Sequence, residues 1–189
     1  MKKSGRTVIL QEDNKSPAVL GLDISSSTIG WGLLTFDKEL LAYGHIKPLD
    51  AKHSKIERLN DVYIRIKEIC ETFAPSAVAV EDIFIFMKNK SQAKTIVILT
   101  EFNRVVSLSA YRVVNNIQFY SVHDIRKSIQ KDLKLASKIE KEDMPNIIRT
   151  HLAPNFSDIL NRNNNQAKET GDEADGIAVA WCYILNRKE

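Results

Sequence analysis

Four acidic side chains stand where the chain is otherwise building core. Asp23 lies inside AVLGLDI, Glu81 follows AVAV, and Asp172 and Asp175 fall at the start of the apolar helical pattern GDEADGIAVAWCYIL. An unpaired carboxylate costs several kcal/mol to bury, so a compensating cation is required if these positions are inside. Asp172 and Asp175 are three residues apart, which puts them on one helix face near its positive end. An oxygen-only donor set suits hard cations, Mg²⁺ with Mn²⁺ as substitute, and the chain has no His/Cys cluster of the kind zinc selects. Two such ions about 4 Å apart activate a water and stabilise the leaving oxygen of an in-line displacement at phosphorus. The chemistry expected is phosphodiester hydrolysis, with Asp23, Glu81, Asp172 and Asp175 as catalytic residues and metal ligands. Each acid also has a plain reading: a dipole-stabilised surface acid for Asp172 and Asp175, a strand end in solvent for Glu81, a turn-former before SSST for Asp23. That reading has to hold at all four positions at once.

Cations accompany the acids. Lys88, Lys90 and Lys94 flank the loop after Glu81, with Arg104 and Arg112 further along, and such a set can hold phosphates in a salt-dependent way. A solvated charged loop is the alternative. Lys127, Lys131, Lys134, Lys138 and Lys141 recur later but alternate with acids. Phosphate contacts position a duplex without reading its bases, so no preference for a base sequence can be read from this set.

The elements that must position these residues are legible in the hydrophobic pattern. Residues 1–17 form an arm or a short added strand, TVIL being able to pair with a sheet edge, and 18–189 form a single domain. AVLGLDI, TIGWGLLTF and ELLAYGHIKP read as three short strands of an antiparallel meander, separated by SSS and DK turns. Ile56, Leu59, Val62, Ile66, Ile69, Cys70 and Phe73 then share a helical face that ends before Pro75. AVAVEDIF reads as a strand buried on both sides. A helix over 93–114 is apolar around most of its circumference, suiting burial or a subunit interface. IQFYS is a fifth strand, VHDIRKSIQKDL and EDMPNIIRTHL are helices with Pro145 in the first turn of the second, and NRNNNQ is a loop. Thr170 and Glu173 make a capping box for the last helix. The fold class is α/β, a five-stranded mixed sheet flanked by helices.

The 189 residues suit one well-buried core, with 43% hydrophobic and 27% charged residues and a net charge of +3 that permits a nucleic-acid partner without demanding one. Cys70 and Cys182 fall in apolar patterns and read as reduced core thiols. With no secretory pattern and no membrane-length apolar run, a cytoplasmic protein without membrane attachment is expected; its small size would suit a bacterial cell or a phage-infected host, though the residues leave the cell type open.

Taken together, LGLDISSSTIGWGLL, AVAVEDIFIFMKN and GDEADGIAVA resemble the first-strand, Glu-strand and closing-helix motifs of the RuvC family of Holliday-junction resolvases, within the RNase H-like superfamily. The likeness runs from about Ala18 to Leu185. It implies an RNase H-like fold and a metal-dependent, structure-selective DNA endonuclease. Such an enzyme nicks four-way junctions and other branched DNA, leaving 5′-phosphate and 3′-hydroxyl ends. It implies two ions held by Asp23, Glu81, Asp172 and Asp175. Phe84 would wedge the junction centre, with Phe86 near enough to share that role, and Lys141 would contact DNA near the scissile phosphate. His123 stands at the place of a second lysine, with Arg126 and Lys127 beside it. It implies a homodimer, with the helix over 93–114 at the interface. The N-terminal arm, the Asn-rich stretch and the lack of a basic tail beyond Arg187 and Lys188 depart from the family pattern. Two other functions stay open: an RNase H-like nuclease acting on RNA-containing duplexes, and a non-catalytic branched-DNA binding module, which would gain nothing from clustered negative charge.

Overall fold

The apolar runs between the SSS and DK turns become strands, and the helical periodicities become helices. The computed structural model describes residues 4–11, 16–83, 90–160 and 166–187. In chain order they form β1 (Ser4–Ile9), β2 (Ala18–Ile24), β3 (Ile29–Thr35), β4 (Leu40–Lys47), α1 (Lys55–Phe73), β5 (Ala77–Glu81), α2 (Lys90–Tyr111), β6 (Ile117–Tyr120), α3 (Val122–Asp132), α4 (Met144–His151) and α5 (Lys168–Asn186), with a 3-10 turn at Lys141–Asp143 before α4. The sheet order is β1-β4-β3-β2-β5-β6. Strands β1 to β4 pair antiparallel, whereas β2, β5 and β6 run parallel.

The sheet has six strands, not five, because the arm contributes one. β1 pairs along the length of β4, from Ser4 opposite Lys47 to Ile9 opposite Ala42. Without it, β4 would present a row of unsatisfied backbone groups at the sheet edge.

Alternation along the strands divides the core in two. Val19, Leu34, Tyr43, Ala77 and Ala79 face α5, meeting Ala174, Ile177, Ala178 and Trp181. Leu20, Leu22, Trp31, Val78 and Val80 face α1 and α2, meeting Val62, Ile66, Phe102 and Val106. Continuing the period of two from Val19 and Ala77 puts Asp23 and Glu81 on the α5 side. There α5 lies almost on the backbone of β3. A Cβ at Gly176 would stand 2.6 Å from Gly30 C and from Trp31 N and Cα, and one at Gly30 would strike the Asp172 carbonyl.

Two local expectations fail for identifiable reasons. Ile56 is 71% exposed, because it sits in the first turn of α1, before the burial that begins at Leu59. The capping box at Thr170 and Glu173 does not form: α5 starts at Lys168 after Ala167, with no side-chain cap. Both side chains have long-range partners instead, the Thr170 hydroxyl accepting from Ile159 N at 2.8 Å and Glu173 turning inward. The helix expected over 93–114 begins at Lys90 and ends at Tyr111, burying Phe102, Val106 and Ala110 but leaving Val97, Leu108 and Tyr111 more than half exposed. Cys70 and Cys182 are free and buried. Among the described residues, no helix is long and apolar enough to cross a membrane.

Candidate active site

Strand register aligns one row of residues across the sheet. Arg6 of β1 is opposite His45 of β4, His45 is opposite Gly30 of β3, and Gly30 is opposite Asp23 of β2. Because Leu22 pairs with Val80 in parallel, Asp23 and Glu81 emerge together at the ends of β2 and β5. α5 crosses this row at Gly30, where the glycine admits the Asp172 backbone. Asp172 and Asp175 are therefore brought down on the acids of the strands, and both are buried, as is Glu173 between them.

Neighbouring segments hold the backbone in place. The turn after Asp23 is closed by Ser25, whose Oγ accepts from Thr28 N at 3.0 Å and donates to Thr28 O at 2.7 Å. The side chain of buried Thr28 hydrogen-bonds Asp172. At β5, buried Asn103 of α2 donates from Nδ2 to the Glu81 carbonyl at 3.1 Å.

The convergence is visible in the electrostatics. Burial, then repulsion from Glu81 and Asp175, pushes Asp23 well above the usual carboxylate range, against a smaller pull from Lys141. Burial and then Asp175 push Glu81 up to about 7, with Lys141 and Arg126 opposing. Asp172 is raised by burial, partly offset by Lys168, Lys141 and the Thr28 hydrogen bond. Asp175 is raised by burial against Lys141 and Arg126. Burial pulls the Lys141 ammonium down, but Asp175 and Asp23 outweigh it and the net shift is upward. Lys141 Nζ lies 3.3 Å from Asp175 Oδ2. Strongly perturbed groups gathered around one point mark a candidate site.

The donor set fits a hard cation. All four candidate ligands are carboxylates, and Asp172 Oδ2 is buried with no hydrogen-bond partner. Among the described residues, no three His, Cys, Asp or Glu side chains stand at metal-holding spacing as they are; the Lys141 ammonium reaches the cluster at Asp175.

Of the other residues singled out in the sequence, Lys127 is exposed on α3 and lines a groove of about 370 Å³ with His123, Arg126, Gln130 and Lys138. Ile139 and Glu140, at its other wall, lead directly to Lys141. Lys94 is exposed on α2. Phe84, Phe86 and Lys88 lie outside the described residues, as does the side chain of Lys90. A larger groove, about 850 Å³, lies along the β4–α1 connection by Asp50, His53 and Glu57, and none of the four acids lines it. Sequence reasoning missed Thr28 and Asn103. Thr28 carried a faint signal, a polar residue adjoining an apolar strand; Asn103 carried a clearer one, an amide in the middle of a buried helical face.

Comparison with known proteins bears on the family and the fold. Residues 19–183 match the family model for the crossover junction endodeoxyribonuclease RuvC. The RuvC of Alkaliphilus metalliredigens is 24% identical over 168 residues, covering 87% of this chain and 91% of the relative. That of Fusobacterium nucleatum is 31% identical over 140 residues, covering 66% and 72%. Among solved structures, Thermus thermophilus RuvC in complex with a Holliday junction superposes with a TM-score of 0.66 at 19% identity, covering 89% of this chain and 93% of that one. The yeast mitochondrial Holliday junction resolvase gives 0.59 at 10% identity, covering 92% and 82%. These structural matches carry the RNase H-like fold, and the family match over most of the chain carries the kinship. With its acids gathered from β2, β5 and α5 on that fold, the chain belongs to the RuvC family of crossover junction endodeoxyribonucleases.

Proposed function

We propose that this protein is a metal-dependent, structure-selective endonuclease that nicks four-way DNA junctions by phosphodiester hydrolysis, leaving 5′-phosphate and 3′-hydroxyl ends. The observation that carries it is the meeting of Asp23, Glu81, Asp172 and Asp175, from three elements, beside Lys141 and Arg126. Asp23, Glu81, Asp172 and Asp175 would hold Mg²⁺ or Mn²⁺, two ions per site. Bound there, the ions supply a water acidified near neutral pH and positive charge at the phosphate oxygens. Lys141, more than half exposed yet 3.3 Å from Asp175, is placed to meet an incoming phosphate. The groove lined by His123, Arg126, Lys127 and Lys138 extends that positive surface and would carry the backbone flanking the cut.

Lys88, Lys90 and Lys94 would grip the duplex on the β5 side, and Phe84 with Phe86 would wedge the junction centre. Pairing of two sites for symmetric strands calls for a dimer. The solvent face of α2 supports one: Val97, Leu108 and Tyr111 are 55%, 56% and 53% exposed, and their spacing puts them on one stripe with Arg104, whose guanidinium covers the Phe119 ring at 5.4 Å. The arm and the remainder of the chain would act as one nuclease domain.

The decisive experiment incubates a synthetic four-way junction with the pure protein in Mg²⁺, in Mn²⁺ and in EDTA. Symmetric nicks in either metal and none in EDTA are expected. No nicking in either metal would overturn the proposal, and faster cutting of an RNA–DNA hybrid would reassign the substrate. Light scattering of wild type and Leu108→Glu checks the dimer, which the charge should dissociate.

A further inference from the structure

The strand that the arm adds does more than close an edge. Its one inward charge, Arg6, reaches across β4 to the catalytic helix: Nη2 lies 3.2 Å from Glu173 Oε2. From directly opposite in the register, His45 places Nδ1 2.8 Å from Glu173 Oε1. The Glu173 side chain is fully buried, that of His45 is 8% exposed and that of Arg6 27%. Arg6 is itself fixed, stacking over the Tyr43 ring with its guanidinium 5.4 Å from the centroid and donating to Ser157 O at 3.1 Å. A second tether, Lys47 of β4 to Glu169, secures the first turn of α5 from the same side.

Glu173 follows Asp172 and precedes Asp175 by two residues, and α5 has no side-chain cap to define where its first turn sits. The grip on Glu173 is therefore one of the restraints on the acidic pair, beside the Lys47–Glu169 tether and the close crossing at Gly30. We propose that β1 is a working part of the active site: Arg6, together with His45, is a positioning residue that clamps Glu173 and so sets Asp172 and Asp175 against Asp23 and Glu81. This inference rests on the metal-dependent reading above. It also goes beyond the family pattern, since β1 lies before the residues, 19–183, that match the family model. Removing Arg6 leaves a buried carboxylate short of its cation beside the site, and a shift of α5 toward solvent would relieve it. Residues that orient ligands from behind in this way typically govern metal affinity by about 10- to 100-fold.

The test uses the full chain as wild type, Arg6→Ala, Arg6→Lys and the double variant Arg6→Met with Glu173→Met, each below its own unfolding temperature. The measurements are Mn²⁺ affinity by calorimetry, the Mn²⁺ dependence, kcat and KM of junction cleavage, and amide exchange over residues 168–176. Arg6→Ala should bind Mn²⁺ about 10- to 100-fold more weakly, lose kcat with little change in junction KM, and exchange faster in the first turns of α5. Arg6→Lys and the double variant should each recover part of the loss. A folded Arg6→Ala that binds Mn²⁺ as wild type does, with unchanged exchange over 168–176, would overturn the clamp even if its melting temperature fell. Should Arg6→Ala fail to fold, the same comparison is read from Arg6→Lys and the double variant. If wild type itself fails to cut junctions, the functional proposal falls while the exchange data still decide the clamp.

Discussion

Glu173 and its neighbours Asp172 and Asp175 lie within a single turn of one helix and meet opposite electrostatic surroundings. Glu173 is enclosed by fixed protein partners, His45 at 2.8 Å and Arg6 at 3.2 Å. Asp172 keeps a buried oxygen without any donor, and Asp175 shares one half-exposed lysine with Asp23 and Glu81, whose charges oppose its own. A fold that can surround one buried carboxylate with an arginine and a histidine has the means to surround others. Where it leaves several facing each other, their charge is available to something from outside. On the proposed function, the difference separates an acid that holds the structure from acids that would serve a reaction, although all three fall within DEAD.

Four experiments would break or sharpen that contrast. The largest effect is expected from Asp23→Asn, which should slow junction cleavage by about 10²- to 10³-fold, the scale of losing one preorganised charge at a reacting centre, while gel shifts show junction binding retained. Its thermal stability should hold or rise, because a raised, repelled carboxylate has been removed. Glu173→Ala should do the reverse to stability. Leaving Arg6 and His45 without their acid should lower the free energy of unfolding in urea by about 3 kcal/mol, the low end for breaking a buried pair because Arg6 keeps 27% of its surface. Equal melting temperatures for the two variants would erase the distinction.

Gly30→Ala attacks the crossing on which both regions depend. A methyl there meets the Asp172 backbone, so α5 has to lift, with a stability loss of about 1–3 kcal/mol and a loss of cleavage. Wild-type stability with full cleavage would show that α5 need not touch β3. The smallest effect concerns pH. Glu81 is raised from 4.5 to about 7, so between those values the folded chain binds more protons than the unfolded one. Its contribution to stability is present below about pH 4.5 and is lost as pH rises through about 7. In metal-free buffer the melting temperature of wild type should therefore fall between pH 5 and pH 8 relative to that of Glu81→Gln, and Mn²⁺ should remove the difference. Parallel pH profiles for the two proteins would place Glu81 outside the repelling cluster.

Much of this site is legible in the amino-acid sequence, for a physical reason: an acid inside an apolar strand leaves a mark in a one-dimensional pattern. Asp23 in AVLGLDI, Glu81 after AVAV and the pair in GDEADGIAVA all carry it, as do the strands and helices that bear them. Glu173 carries a misleading one. Its spacing from Thr170 matches a capping box, and only the packed molecule offers Arg6 and His45 as stronger partners. Arg6, in a polar arm, carries no mark at all.

Local pattern thus determined which segments are strands and helices, that the sheet is mixed, and which acids resist a surface explanation, because periodicity and burial cost act on neighbouring residues. Register decided the rest. That β1 pairs with β4, that Arg6, His45, Gly30 and Asp23 form one row, and that α5 descends on it at Gly30 depend on backbone pairings between residues far apart in the chain. Only those pairings divide three nearly adjacent acids into one held by Arg6 and His45 and two that face the acids of the strands.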